Sequence, residues 1–100
     1  MSYSIALLPQ AEEDLAYWRQ TDPQVVVRIK RLLKDISEHP YSGIGKPEPL
    51  KWSLSGKWSR RINRKDRIIY EVDGERIIVF VLAMRYHYDY WRYNVNTMRG

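Results

Sequence analysis

Three observations predict an α+β fold with two N-terminal helices packed on a mostly antiparallel sheet. Apolar residues recur at helical spacing in two segments, both before Pro40. Three β-rich runs follow one another after Lys57, joined by short polar connections. Helices and strands that are segregated along a chain, instead of alternating, place the helices on one face of the sheet.

The run Tyr3-Ser4-Ile5-Ala6-Leu7-Leu8 is compatible with a short strand, and Pro9 ends it. Ala11, Leu15 and Trp18 then recur at i, i+4 and i+7, so a helix follows. Glu12, Glu13 and Asp14 lie in its first turns, where carboxylates favour the positive end of the macrodipole; that placement gives the acidic cluster a local explanation. Asp22-Pro23 is a restart, with Asp as N-cap and Pro at the first helical position. Val25, Val26, Ile29, Leu32, Leu33 and Ile36 form one face of the second helix, and Pro40 stops it by forcing the preceding residue out of the α region. Residues 41–55 hold Gly43, Gly45, Pro47 and Pro49, too many breakers for a helix or a central strand, and read as a shaped loop. Trp58–Asn63, Arg67–Val72 and Arg76–Arg85 are the strands of the meander, with Asp73-Gly74 as the hairpin turn between the last two. The stretch Tyr86–Gly100 has no clear period.

A chain of 100 residues with 44% hydrophobic and 29% charged residues makes one small domain. Without cysteine it has neither a disulfide framework, a thiolate metal site nor a thiol nucleophile. The apolar run Ile77–Met84 is far shorter than the roughly 20 residues that a membrane-spanning helix needs, and no basic n-region precedes Ile5. A cytoplasmic protein with no membrane association is the expectation.

The net charge of +5 is unevenly spread. Residues 1–24 carry one arginine against four carboxylates, whereas residues 46–67 carry eight cations against Glu48 and Asp66. A block of that kind attracts polyanions. Within it, Gly45-Lys46-Pro47-Glu48-Pro49-Leu50-Lys51 holds a carboxylate between two prolines, which either aim it or simply leave it on a charged surface loop. In Trp58-Ser59-Arg60-Arg61-Ile62, strand alternation separates Arg60 from Arg61, so one belongs near the helices' side or at the sheet edge. The other, with Arg67, either clamps a phosphate or acts as solvated charge that discourages edge pairing. His87 follows the most apolar strand, where an imidazole transfers protons near neutrality or merely packs beside tyrosines. His39 and His87 lack metal-ligand spacing, so neither metal nor other cofactor is expected. Eight Tyr and four Trp supply faces on which unpaired bases stack.

One reaction uses a carboxylate, an imidazole and arginines together. A base takes the proton of a ribose 2′-OH, the oxygen attacks the adjacent phosphorus, and an acid protonates the departing 5′-oxygen. Glu48 suits the base and His87 the acid, with arginines stabilising the phosphorane. A non-catalytic module that binds RNA or the ribosome through the same basic face is the alternative, and a protein-interaction domain is a third.

The blocks Tyr17-Trp18-Arg19-Gln20-Thr21-Asp22, Gly45–Lys51, Leu54-Ser55-Gly56-Lys57-Trp58-Ser59-Arg60-Arg61-Ile62, Asp66-Arg67-Ile68-Ile69-Tyr70 and Arg85-Tyr86-His87-Tyr88 closely resemble, in order, YoeB-type toxins of the RelE superfamily. The resemblance implies a microbial ribonuclease-type fold and an endoribonuclease that cuts mRNA in the A site of the 70S ribosome. It also implies neutralisation by a YefM-like antitoxin and a possible homodimer. By matching position, Glu48 resembles the general base, His87 the general acid and Arg67 the phosphate stabiliser. Lys51 and Arg61 resemble residues around the scissile phosphate, and Tyr88 the residue that closes the site near the base. Residues 1–88 form the toxin-like domain, and residues 89–100 extend past the resemblance.

Overall fold

The computed structural model describes residues 2–87; Tyr88 and the extension 89–100 lie outside the described residues. Strand β1 (Ser4–Leu7) leads into α1 (Pro9–Thr21), and α2 (Pro23–Glu38) follows after a single residue. That residue is Asp22, whose carboxylate accepts the Gln24 N–H at 3.2 Å, so the predicted cap and restart are present. The short strand β2 (Glu48–Pro49), a 3-10 turn (Trp52–Leu54), β3 (Trp58–Arg61), β4 (Arg67–Asp73) and β5 (Ile78–Ala83) complete the order.

The five strands form one sheet in the order β1-β5-β4-β3-β2. β2 to β5 pair antiparallel, while β1 lies parallel to β5, because the two helices carry the chain back across the sheet before the meander begins. The predicted α+β class therefore holds, with mixed pairing at one edge. Both helices cover the same face: Ala11 and Trp18 of α1 and Ile29, Leu32 and Ile36 of α2 join Ile62, Ile68, Tyr70, Val79, Val81 and Met84 in the main core. On the opposite face a smaller cluster forms, in which Leu50 and Leu54 lie over Ile69 and Ala83. It gives the loop before β3 an apolar footing.

Two local expectations are corrected. The segment 41–55 is not only loop, since Glu48 and Pro49 pair with Ser59 and Trp58 as an edge strand. The last hairpin does not turn on Asp73-Gly74 alone. The Asp73 carboxylate accepts the N–H groups of Glu75 (3.1 Å) and Arg76 (3.0 Å), which organises a wider connection that closes at Ile77 with φ +58°. Strands β3 and β5 are correspondingly shorter than the sequence runs predict.

Candidate active site

Alternation along β3 assigns its two arginines to different tasks. Arg60 is completely buried on the helix side, where its guanidinium donates to the Tyr70 hydroxyl, the Asp35 carboxylate and the carbonyls of His39, Ser42 and Ile44. All five N–H donors have acceptors, so this charge holds residues 39–44 in shape and is withdrawn from any polyanion. Burial by itself raises the pKa of Asp35. The Arg60 hydrogen bond, the Ile44 N–H and the Arg60 charge outweigh it and hold the carboxyl below its ordinary range. Burial likewise raises the Tyr70 phenol, against the opposing effect of Arg60.

That braced segment delivers Gly45, whose carbonyl accepts the Arg61 N–H at 2.7 Å and whose φ of +78° turns the chain onto β3. Lys46 continues the turn at φ +52°, and Pro47 and Pro49 flank Glu48. Glu48 therefore reaches the sheet edge in extended backbone with Ser59 as its partner. Arg61 lies two residues along β3 on the face turned away from the helices, and its Nη2 is 3.9 Å from Glu48 Oε1. Directly across from it on β4 is Arg67.

Arg67 is held through Nη1, which donates to the carbonyls of Asn63 (3.0 Å), Asp66 (3.2 Å) and Arg64 (3.3 Å). Among the described residues Nε and Nη2 have no hydrogen-bond acceptor. Burial first, and then the Arg61 guanidinium, lower the pKa of Arg67, against Glu48 and Asp66, which favour its charge. An anion such as a phosphate placed beside Arg67 would favour its charged form and offset part of the effect of burial.

His87 lies four residues past the end of β5. The segment after β5 is fixed to α1: Trp18 Nε1 donates to the Met84 carbonyl at 2.8 Å, the Met84 N–H donates to Asp14 Oδ2 at 2.9 Å, and the Arg85 guanidinium lies 3.5 Å from the Tyr17 ring centroid. Tyr86 is tied to the β3–β4 turn through its N–H, which donates to Asp66 Oδ1 at 2.8 Å, and Lys65 lies over its ring. His87 thus follows a residue bonded to Asp66, the immediate neighbour of Arg67 in the chain. Its Nε2 lies 2.9 Å from both oxygens of Asp14. Among the described residues Glu48, Arg61 and Arg67 form one cluster, and His87 makes no hydrogen bond or ion pair with any of them. Lys51 is exposed just beyond β2. The described residues contain no group of three or more His, Asp or Glu side chains arranged to hold a metal ion.

Sequence reasoning missed Asp14 and Asp66. The helix dipole accounts for a carboxylate at this position, yet Asp14 is 1% exposed, accepts from the Gln10 amide and the Met84 N–H, and lies 2.9 Å from His87 Nε2. The available signal was its phase: Asp14 stands three residues after Ala11 and four before Trp18, on the buried stripe of α1.

A family model described as YoeB-like toxin of bacterial type II toxin-antitoxin system matches residues 8–88. Toxin YoeB of Escherichia coli K12 is 46% identical over 76 residues, which span 76% of this chain and 88% of that protein. Among solved structures, a YoeB/ParE toxin from Agrobacterium tumefaciens has a TM-score of 0.80 at 35% identity, covering 85% of this chain and 99% of that one. The heterotetrameric YoeB-YefM toxin-antitoxin complex from Staphylococcus aureus includes a chain with a TM-score of 0.77 at 42% identity, covering 88% of this chain and all of its own length. The chain belongs to the YoeB-like toxins of bacterial type II toxin-antitoxin systems.

Proposed function

We propose that this chain is a ribosome-dependent, metal-independent endoribonuclease that cuts mRNA in the ribosomal A site and is neutralised by a YefM-like antitoxin. The observation that carries the reading is the cluster of Glu48, Arg61 and Arg67 on the sheet face left open by the helices. Glu48 removes the 2′-OH proton, the freed oxygen attacks the adjacent phosphorus, and His87 protonates the leaving 5′-oxygen, which gives a 2′,3′-cyclic phosphate and a 5′-hydroxyl. Arg67 acts on the phosphorane, whose charge exceeds that of the ground state, so its effect is on transition-state binding. Arg61 and Lys51 hold the flanking phosphates, and Tyr88 closes the site at the base.

A free RNA strand is flexible, so in this reading the ribosome supplies the orientation that the toxin alone does not. The antitoxin and a homodimer are supported by the Staphylococcus aureus YoeB-YefM complex and YoeB dimer. No helix among the described residues is long and apolar enough to cross a membrane, and the site of action we propose is the cytoplasm.

Single-turnover cleavage of mRNA on programmed ribosomes tests the reading with Glu48→Gln and His87→Gln. Each is expected to lose about 10²–10⁴-fold in rate, the range that general acids and bases supply, while ribosome binding stays within a few-fold. Cleavage at the wild-type rate by both variants would leave the binding module as the surviving reading.

A further inference from the structure

The buried carboxylate of Asp14 has no part in the chemistry proposed above, and helix packing does not account for it. A carboxylate taken out of water needs donors to replace its hydration, and α1 supplies only the Gln10 amide, at 3.1 Å from Oδ1. The remaining donors come from the far end of the chain: the Met84 N–H on Oδ2, and His87 Nε2 at 2.9 Å from both oxygens. The Met84 carbonyl is held in turn by Trp18, one turn further along the same helix. A single helical stripe, Asp14 and Trp18, thus fixes the backbone that carries the imidazole and also grips the ring.

From this geometry we infer that Asp14 is a positioning residue for His87, fixing the orientation and tautomer of its ring; the inference rests on the acid role given to His87 above. A carboxylate that accepts the Met84 and Gln10 N–H groups is an acceptor toward the ring as well, so the nitrogen facing it carries hydrogen. Nε2–H is then turned inward, and Nδ1, which has no hydrogen-bond partner among the described residues, is the nitrogen left for substrate. The consequence for an acid is direct. The proton delivered to the 5′-oxygen leaves from Nδ1 of the imidazolium, and the ring that remains is the Nε2–H tautomer that Asp14 already holds. The carboxylate thus holds the ring in the orientation and neutral tautomer that transfer leaves behind, as the buried aspartate of a hydrolase triad does for its histidine.

Asp14→Asn is the informative variant, because the amide oxygen still accepts the Met84 N–H while the charge is removed. Three measurements on the full chain are combined: single-turnover cleavage on programmed ribosomes, imidazole ¹⁵N chemical shifts of His87 in the free protein, and cleavage by Asp14→Asn in a His87→Gln background. The expected results are a rate loss of about 10–100-fold, part of what a general acid supplies; an Nε2–H tautomer in the wild type that becomes mixed in the variant; and no further loss in the His87→Gln background. Asp14→Glu, which restores the charge on a longer stem, is expected to recover part of the rate. If Asp14→Asn fails to fold, the wild-type ¹⁵N spectrum and Asp14→Glu decide. An Nδ1–H tautomer in the wild type overturns the inference, as does an equal loss with and without His87, which is the mark of a purely structural residue. A His87→Gln variant with full activity defeats the acid role itself. A wild-type rate for Asp14→Asn beside an inactive His87→Gln defeats only the positioning role.

Discussion

Arg61 and Arg67 are directly opposed partners across β3 and β4, on the sheet face that the helices leave uncovered. Like charges placed opposite each other destabilise a strand pair by a few tenths of a kcal/mol to about 1 kcal/mol. The only opposite charge paired with Arg61 among the described residues is Glu48, at 3.9 Å and half exposed, a geometry that contributes little in water. The pair makes sense as a site prepared for an anion.

Replacing Arg61 therefore separates binding from folding. Arg61→Gln is expected to change stability by no more than about 0.5 kcal/mol, as exposed substitutions do. It is also expected to reduce the salt dependence of single-stranded RNA binding by roughly 0.7 in the log–log slope, one phosphate contact. Urea unfolding and anisotropy titrations over a range of salt concentrations measure the two quantities. An unchanged slope would remove Arg61 from the RNA face.

The buried neighbour Arg60 behaves in the opposite way. Asp35→Asn leaves a fully buried guanidinium without its anion and is expected to lower stability at neutral pH by about 2–4 kcal/mol, near the loss seen when one partner of a buried pair is removed. The sign of the pH dependence follows from the depressed Asp35 pKa. Its contribution is complete above the ordinary value of 3.8 and is lost as pH falls through the lower folded value. The difference between wild type and variant is expected to narrow below pH 3.8 in urea unfolding at a series of pH values, and a difference that widens there would contradict the assignment.

Gly45 shapes the approach to Glu48. A Cβ there would lie 2.7 Å from Leu32 Cδ2 and 3.2 Å from the Arg61 carbonyl, at a φ of +78° that L-residues disfavour. Gly56 also has positive φ, +90°, but faces open space. Gly45→Ala is expected to destabilise by about 1–3 kcal/mol from overpacking in addition to backbone strain, whereas Gly56→Ala carries the strain alone. Thermal unfolding of both variants checks the ranking, and equal losses would show that the contact with Leu32 relaxes freely.

Much of this was legible from residue spacing. The face of α2, the Asp22-Pro23 restart, the meander and the division of Arg60 from Arg61 all follow from periods of 3.6 and 2. The parallel edge strand β1 was visible as a strand but not as a neighbour of β5, because pairing across the chain leaves no local pattern. The connection after Asp73 departs from a two-residue Asp-Gly turn because the Asp73 side chain organises it in place of the glycine. The dipole rule does not report the burial of Asp14, since a carboxylate early in a helix satisfies it whether it is exposed or buried. Only its long-range partners, the Met84 N–H and the His87 ring, distinguish the two cases, and they come from some seventy positions away.

The identity of the nucleophile tests the account most directly. Programmed ribosomes carrying mRNA with a single 2′-deoxynucleotide on the 5′ side of the scissile bond in the A-site codon are compared with unmodified mRNA, and the ends are mapped. Unmodified mRNA is expected to give a 2′,3′-cyclic phosphate and a 5′-hydroxyl, and the deoxy-substituted message is expected to stay intact at that bond. Cleavage of the deoxy-substituted message at that bond, or products ending in a 3′-hydroxyl and a 5′-phosphate, would contradict a mechanism in which Glu48 deprotonates the ribose.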